Sequence, residues 1–140
     1  MKNLRSVLFA LAVILLVPAA RAQQKGVKAD VPFDFVVGDR AYPAGEYILK
    51  AAPNANGIMR IENVQEVSAV FVPSNSCAEG VPSTETKLVF HRMAGRYFLY
   101  QVWTAGNLTG REFPKGHVEV ELAQNHDQPE LVILAAAISR

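Results

Sequence analysis

The residues able to do chemistry are few and widely spaced. The histidines are His91, His117 and His126, and the single cysteine is Cys77. No two histidines have the H-x3-H or H-E-x-x-H spacing that brings a pair of imidazoles onto one metal, and one cysteine cannot make a thiolate zinc motif. His117 and His126 would meet only through the fold, so neither a metal nor another cofactor is expected. Ser68, Ser74, Ser76, Ser83 and Ser139 have no base beside them and no G-x-S-x-G elbow, so none is marked as a nucleophile. Cys77 lies in the turn-rich stretch SNSCAEGVPST. No His, Lys or Arg adjoins it to lower its pKa, and it reads as an incidental loop thiol rather than a reactive one.

Carboxylates offer Asp34 with Asp39, Glu112 with Glu119, and Glu119 with Glu121. A glycosidase needs two carboxyls at a set separation, one with a raised pKa, and that separation belongs to the fold. Solvated surface acids are the simpler reading. No glycine-rich phosphate cradle occurs. Asn107-Leu108-Thr109 matches the N-glycosylation pattern, which in a bacterial chain is a chance match.

The best cluster is Trp103, Thr104, Asn107, Thr109, Arg111 and Glu112, on a Gly-flexed polar loop after an apolar run. A Trp at a strand end can stack on a ligand ring or anchor a partner, and Arg111 can grip a carboxylate or phosphate bidentately. The competing reading is a core Trp with Arg111 and Glu112 as a structural ion pair.

These residues must be held by strands. Val31, Phe33, Phe35 and Val37 alternate on one face, and Pro32 sets the start of that strand at an edge or a bulge. Gln23 to Ala29 before it reads as a frayed start. Glu46–Ala51, Ile58–Asn63 and Ser68–Val72 follow as strands, divided by Pro43-Ala44-Gly45 and by a break ending in Asn56-Gly57. Residues 74–84 read as the longest loop. Thr86–Arg92 and Tyr97–Trp103 make a hairpin, and YFLYQVW, apolar on both faces, predicts a central strand. In residues 117–124, Val118, Val120 and Leu122 alternate with Glu119 and Glu121, which favours a strand slightly over a short helix. Glu130–Ile138 reads as a final strand, central or covered. The expectation is one mainly β domain, an antiparallel sandwich or small barrel of about seven strands.

Residues 1–22 have the three parts of a secretory leader: Lys2 and Arg5, then an apolar run of about 11 residues ending at Val17, then Pro18 and Ala20-Arg21-Ala22. Cleavage is expected between Ala22 and Gln23. The run falls short of the roughly 20 residues that span a bilayer, and no Cys follows to take a lipid. Export implies a periplasmic or extracellular location and no stable membrane span after cleavage. The leader holds three of the fourteen basic residues and none of the thirteen acidic ones. The remaining 118 residues are therefore slightly acidic and well mixed, without the basic face that nucleic acid requires. With one cysteine no intrachain disulfide forms, and packing must hold the domain together.

VPFDFVVGDRAYPAGEY and KLVFHRMAGRYFLYQVWTAGNLTGREFPK resemble a family of small exported proteins of Acidobacteria and similar soil bacteria, with the pattern VPFxFxVGxxxxPAGxY followed by WxxGxxxGRExPK. The resemblance covers about half of the chain beyond the leader. It implies export, a common fold and one short helix near 116–124, and it carries over no catalytic residue. The function expected is a non-enzymatic exported domain that binds a small ligand or an envelope partner. The alternatives are assembly through an edge strand beginning at Val31-Pro32, and a hydrolase with a fold-assembled site.

Overall fold

In the computed structural model, residues 25–125 and 128–140 are described. The expected leader, with its expected cleavage point at Ala22 and Gln23, and His126 lie outside the described residues. The chain runs through β1 (Gly26–Val31), β2 (Phe35–Val37), β3 (Arg40–Tyr42), β4 (Gly45–Ala51), β5 (Ile58–Asn63) and β6 (Ser68–Pro73). It continues through β7 (Asn75–Ala78), β8 (Lys87–Met93), β9 (Arg96–Trp103), β10 (Thr109–Glu112), a helix α1 (His117–Gln124), β11 (Glu130–Ala135) and β12 (Ala137–Ser139).

The strands form two sheets that do not close into a barrel. One sheet has the order β12-β1-β4-β5-β6, and the other has β11-β8-β9-β10-β7. The short β2 attaches to β9 in parallel, and β3 pairs with β2. Inward residues recur at every second position: Val27, Ala29 and Val31 on β1, Tyr47 and Leu49 on β4, Met59 and Ile61 on β5. Phe35, Val37, Leu88, Phe90, Leu99 and Val102 face them from the second sheet. Each large apolar side chain taken out of water in this way contributes about 1.5–3 kcal/mol, which is how the fold holds without a disulfide.

The mainly β sandwich matches the expectation, and so does the helix at 117–124. Strand alternation lost there because the cap is tertiary. Gly116 offers no side-chain cap. Asp39, in the turn between β2 and β3, accepts the His117 N–H through Oδ1 at 2.6 Å. It thereby satisfies one of the helix's orphan donors across 78 positions of sequence.

Four strand readings are corrected. The run Val31–Val37 is not one strand: β1 ends at Val31 in one sheet and β2 starts at Phe35 in the other. Pro32 has no N–H to continue the ladder, and the chain changes sheets there. Val31-Pro32 is therefore a corner rather than the start of an edge strand. Gly26 to Ala29 is not frayed, because β1 lies between β12 and β4, with Val27 and Lys28 paired on both sides. The loop 74–84 contains β7, which pairs with β10. The segment 130–138 is not central, and only one of its faces is covered, through Val132 and Leu134 packed on the core. It breaks at Ala136 into edge strands of the two sheets, and Leu131 and Ile133 are 60 % and 59 % exposed.

Candidate functional site

The strands leave a cleft of about 260 Å³ between the sheets, at the end where β1 begins and β9 ends. Val27, Leu49, Ala51 and Met59 line it from the first sheet, and Ser76, Val102 and Arg111 from the second. Lys25, Thr104, Asn107 and Thr109 complete the rim. Val27, Leu49, Met59 and Val102 reach the cleft from the core with almost no exposed surface, and polar groups make up most of its open lining.

Arg111 is placed by strand register. It stands opposite Val102 of β9 on one side and Ser76 of β7 on the other. Its Nε donates to Ser74 Oγ at 3.0 Å, and its Nη2 donates to Ser74 Oγ at 2.7 Å and to the Ser74 carbonyl at 2.9 Å. Ser74 is buried and is itself fixed, its N–H donating to the Gly57 carbonyl at 2.7 Å. Gly57 has φ of +80°, and a Cβ there would sit 3.3 Å from the Ser74 carbonyl. A glycine suits that backbone and that approach. Arg111 therefore fastens the second sheet to the β4–β5 loop of the first, in a fixed orientation.

The loop carrying Thr104 and Asn107 is tied down by backbone bonds. Ser83 N–H donates to the Asn107 carbonyl at 2.9 Å, and Gly106 N–H donates to the Ser83 carbonyl at 2.8 Å. The Ala105 N–H donates to Thr86 Oγ1 at 3.1 Å. The β7–β8 loop thus holds the β9–β10 loop against it.

Of the residues singled out by sequence, Thr104, Asn107, Thr109 and Arg111 share this cleft. Trp103 and Glu112 do not line it. Trp103 is 2 % exposed, its ring lies over Gly110, and its Nε1 donates to Gln101 Oε1 at 3.1 Å. Glu112 accepts from Gln101 Nε2 at 3.1 Å and makes no ion pair with Arg111. Lys25, Met59 and Ser76, far apart in sequence, gave no sequence signal; only the sheet order brings them in.

The other reactive groups lie elsewhere. Burial, helped by the Glu112 carboxylate, pushes the Cys77 thiol up, away from the thiolate form. Burial and Glu112 raise Tyr100 in the same way. His91 and Glu119 make a pair at 2.9 Å, yet they are 7 % and 4 % exposed, which keeps a substrate from them. His117 Nδ1 lies 2.9 Å from Asp39 Oδ2 on the surface. Its backbone N–H on Asp39 is the main reason that the Asp39 carboxyl titrates below its ordinary range. The described residues contain no group of three or more side chains able to hold a metal ion, and no described helix is long and apolar enough to cross a membrane. Comparison with protein-family models, curated proteins and solved structures finds no match to this chain.

Proposed function

We propose that this chain is an exported, non-enzymatic β-sandwich domain that binds a small ligand in the cleft between its sheets. One observation carries the reading. Thr104, Asn107, Thr109 and Arg111 converge on a single cleft, and the floor of that cleft is made of core side chains. The leader at residues 1–22 and the resemblance to small exported proteins support the export half.

Two measurements test it. The full chain is expressed in a bacterial host and its exported form weighed; an N-terminus at Gln23 is expected, an intact Met1 overturns cleavage, and protein confined to the cytoplasm overturns export. The exported protein is then screened against small-molecule libraries by amide NMR. Shifts clustered at Met59, Thr104, Asn107 and Arg111 are expected, and they should vanish in Ala51→Trp, which fills the mouth from an exposed position. Shifts elsewhere, or unchanged binding in that variant, overturn the site.

A second reading, assembly with an envelope partner through an edge strand, draws support from β11. This strand pairs only with β8 among the described strands and exposes Leu131 and Ile133. A free edge of that kind, without Lys or Pro from Leu131 to Ala135, invites another strand. Ile133→Lys should abolish any self-association or partner capture seen by sedimentation; a strictly monomeric protein with no partner removes the reading.

A further inference from the structure

We infer that the cleft takes a small organic anion, its carboxylate held at the rim by Arg111 and Lys25. The inference rests on the ligand-binding reading above and adds the chemical class. The first support is charge. Two cations, Lys25 and Arg111, line the cleft, and no carboxylate does. No carboxylate among the described residues lies within salt-bridge distance of either.

The second is preorganisation. Ser74 takes up Nε and Nη2 of Arg111. A guanidinium has five N–H donors in a rigid plane. The Nη1 pair is left without a protein acceptor among the described residues, and it is oriented before any ligand arrives. A donor already held in place loses little freedom on binding.

The third is the lining and its size. Val27, Leu49, Met59 and Val102 reach the cleft from the core but are each at most 5 % exposed, so polar groups make up most of the open surface. The volume of about 260 Å³ holds a body of roughly eight or nine heavy atoms, at the ~30 Å³ that a water molecule takes in the liquid. Thr104 and Asn107 add neutral polar groups beside the carboxylate.

The test uses the exported protein and three probes of one chain length, sized to the cleft: octanoate, 1-octanol and octyltrimethylammonium. Octanoate should shift the amides of Met59, Thr104, Asn107 and Arg111 saturably, with 1-octanol at least tenfold weaker and the cation weaker still. The preference should shrink as salt rises. Lys25→Glu, at an exposed position that no core contact depends on, should weaken octanoate at least threefold and leave 1-octanol unchanged. If 1-octanol binds in the cleft as tightly as octanoate, or Lys25→Glu leaves octanoate unchanged, the anionic class is overturned and the ligand-binding reading stands. If none of the three probes, nor any library compound, shifts those amides, both are overturned.

Discussion

Glu119 Oε1 lies 2.9 Å from His91 Nδ1, across 28 positions of sequence, and Glu119 is the buried residue of its helix. The His91 ring stacks on Tyr100 at 4.0 Å between centroids. Val118 and Val120, by contrast, are exposed. The helix therefore docks on the second sheet through a polar contact rather than through an apolar stripe. Glu119→Ala should destabilise the protein by about 1–3 kcal/mol, because it strands a buried polar partner. Glu119→Gln, which keeps an acceptor oxygen, should cost clearly less. Denaturant unfolding of both variants checks this, and equal, negligible losses would refute the docking role.

The helix start should be sensitive to acid. The His117 backbone N–H holds the Asp39 carboxyl below its ordinary value of 3.8. A carboxyl with a depressed folded pKa adds stability above its unfolded value and loses it as the pH falls through the folded one. The contribution is therefore full at neutral pH and fades below about pH 4. A carboxyl-detected NMR titration of Asp39, read with the His117 amide shift, should show both moving together below that value. A midpoint at or above 3.8 would count against the cap.

Gly116 is a packing requirement rather than a turn. A Cβ there would collide with the Gly38 carbonyl and sit 2.6 Å from Asp39 Oδ1. Gly116→Ala should push the helix off its cap and cost more than about 2 kcal/mol, in the range of overpacked sites. Gly80→Ala, where an added Cβ meets nothing within 4 Å, should stay within about 0.5 kcal/mol. Thermal unfolding of the two variants separates them, and similar melting points would contradict the close approach.

Two core tyrosines should respond oppositely to loss of the hydroxyl. Tyr47 OH donates to the Pro43 carbonyl at 2.6 Å and accepts from Asn63 Nδ2 at 3.1 Å. Tyr42 OH is buried with no hydrogen-bond partner among the described residues. Burial raises the titration of both phenols. Tyr47→Phe should cost about 1–3 kcal/mol by orphaning its partners, while Tyr42→Phe should be neutral or stabilising by up to about 1 kcal/mol. Parallel denaturant curves decide it; a larger loss for Tyr42→Phe would overturn the assignment.

Local pattern by itself determined the class of the domain. Period-two alternation in Tyr47–Leu49, Met59–Ile61 and Leu88–Phe90 reports one face in the core, and that is a property of the pleat alone. The hairpin of β8 and β9 was legible for the same reason, and the absence of a disulfide followed from the count of cysteines. Part of the cleft was legible too: a polar, glycine-containing loop after a strand marks Thr104, Asn107, Thr109 and Arg111 without showing what they face.

Tertiary structure decided what alternation cannot encode, namely which sheet a strand joins and what lies across from it. β1 and β2 continue one alternating run, yet Pro32 sends them to different sheets. Residues 117–124 carry a strand pattern, and an aspartate 78 positions away makes them a helix. YFLYQVW is apolar on both faces because both are buried: Leu99 and Val102 face the core between the sheets, while Phe98 and Trp103 are also covered. Lys25 and Met59 reach the cleft only because β1, β4 and β5 stand side by side at that end. Sequence sets the faces of each strand through local geometry. Long-range pairing, which depends on backbone hydrogen bonds common to every residue and on one shared core, sets which faces meet.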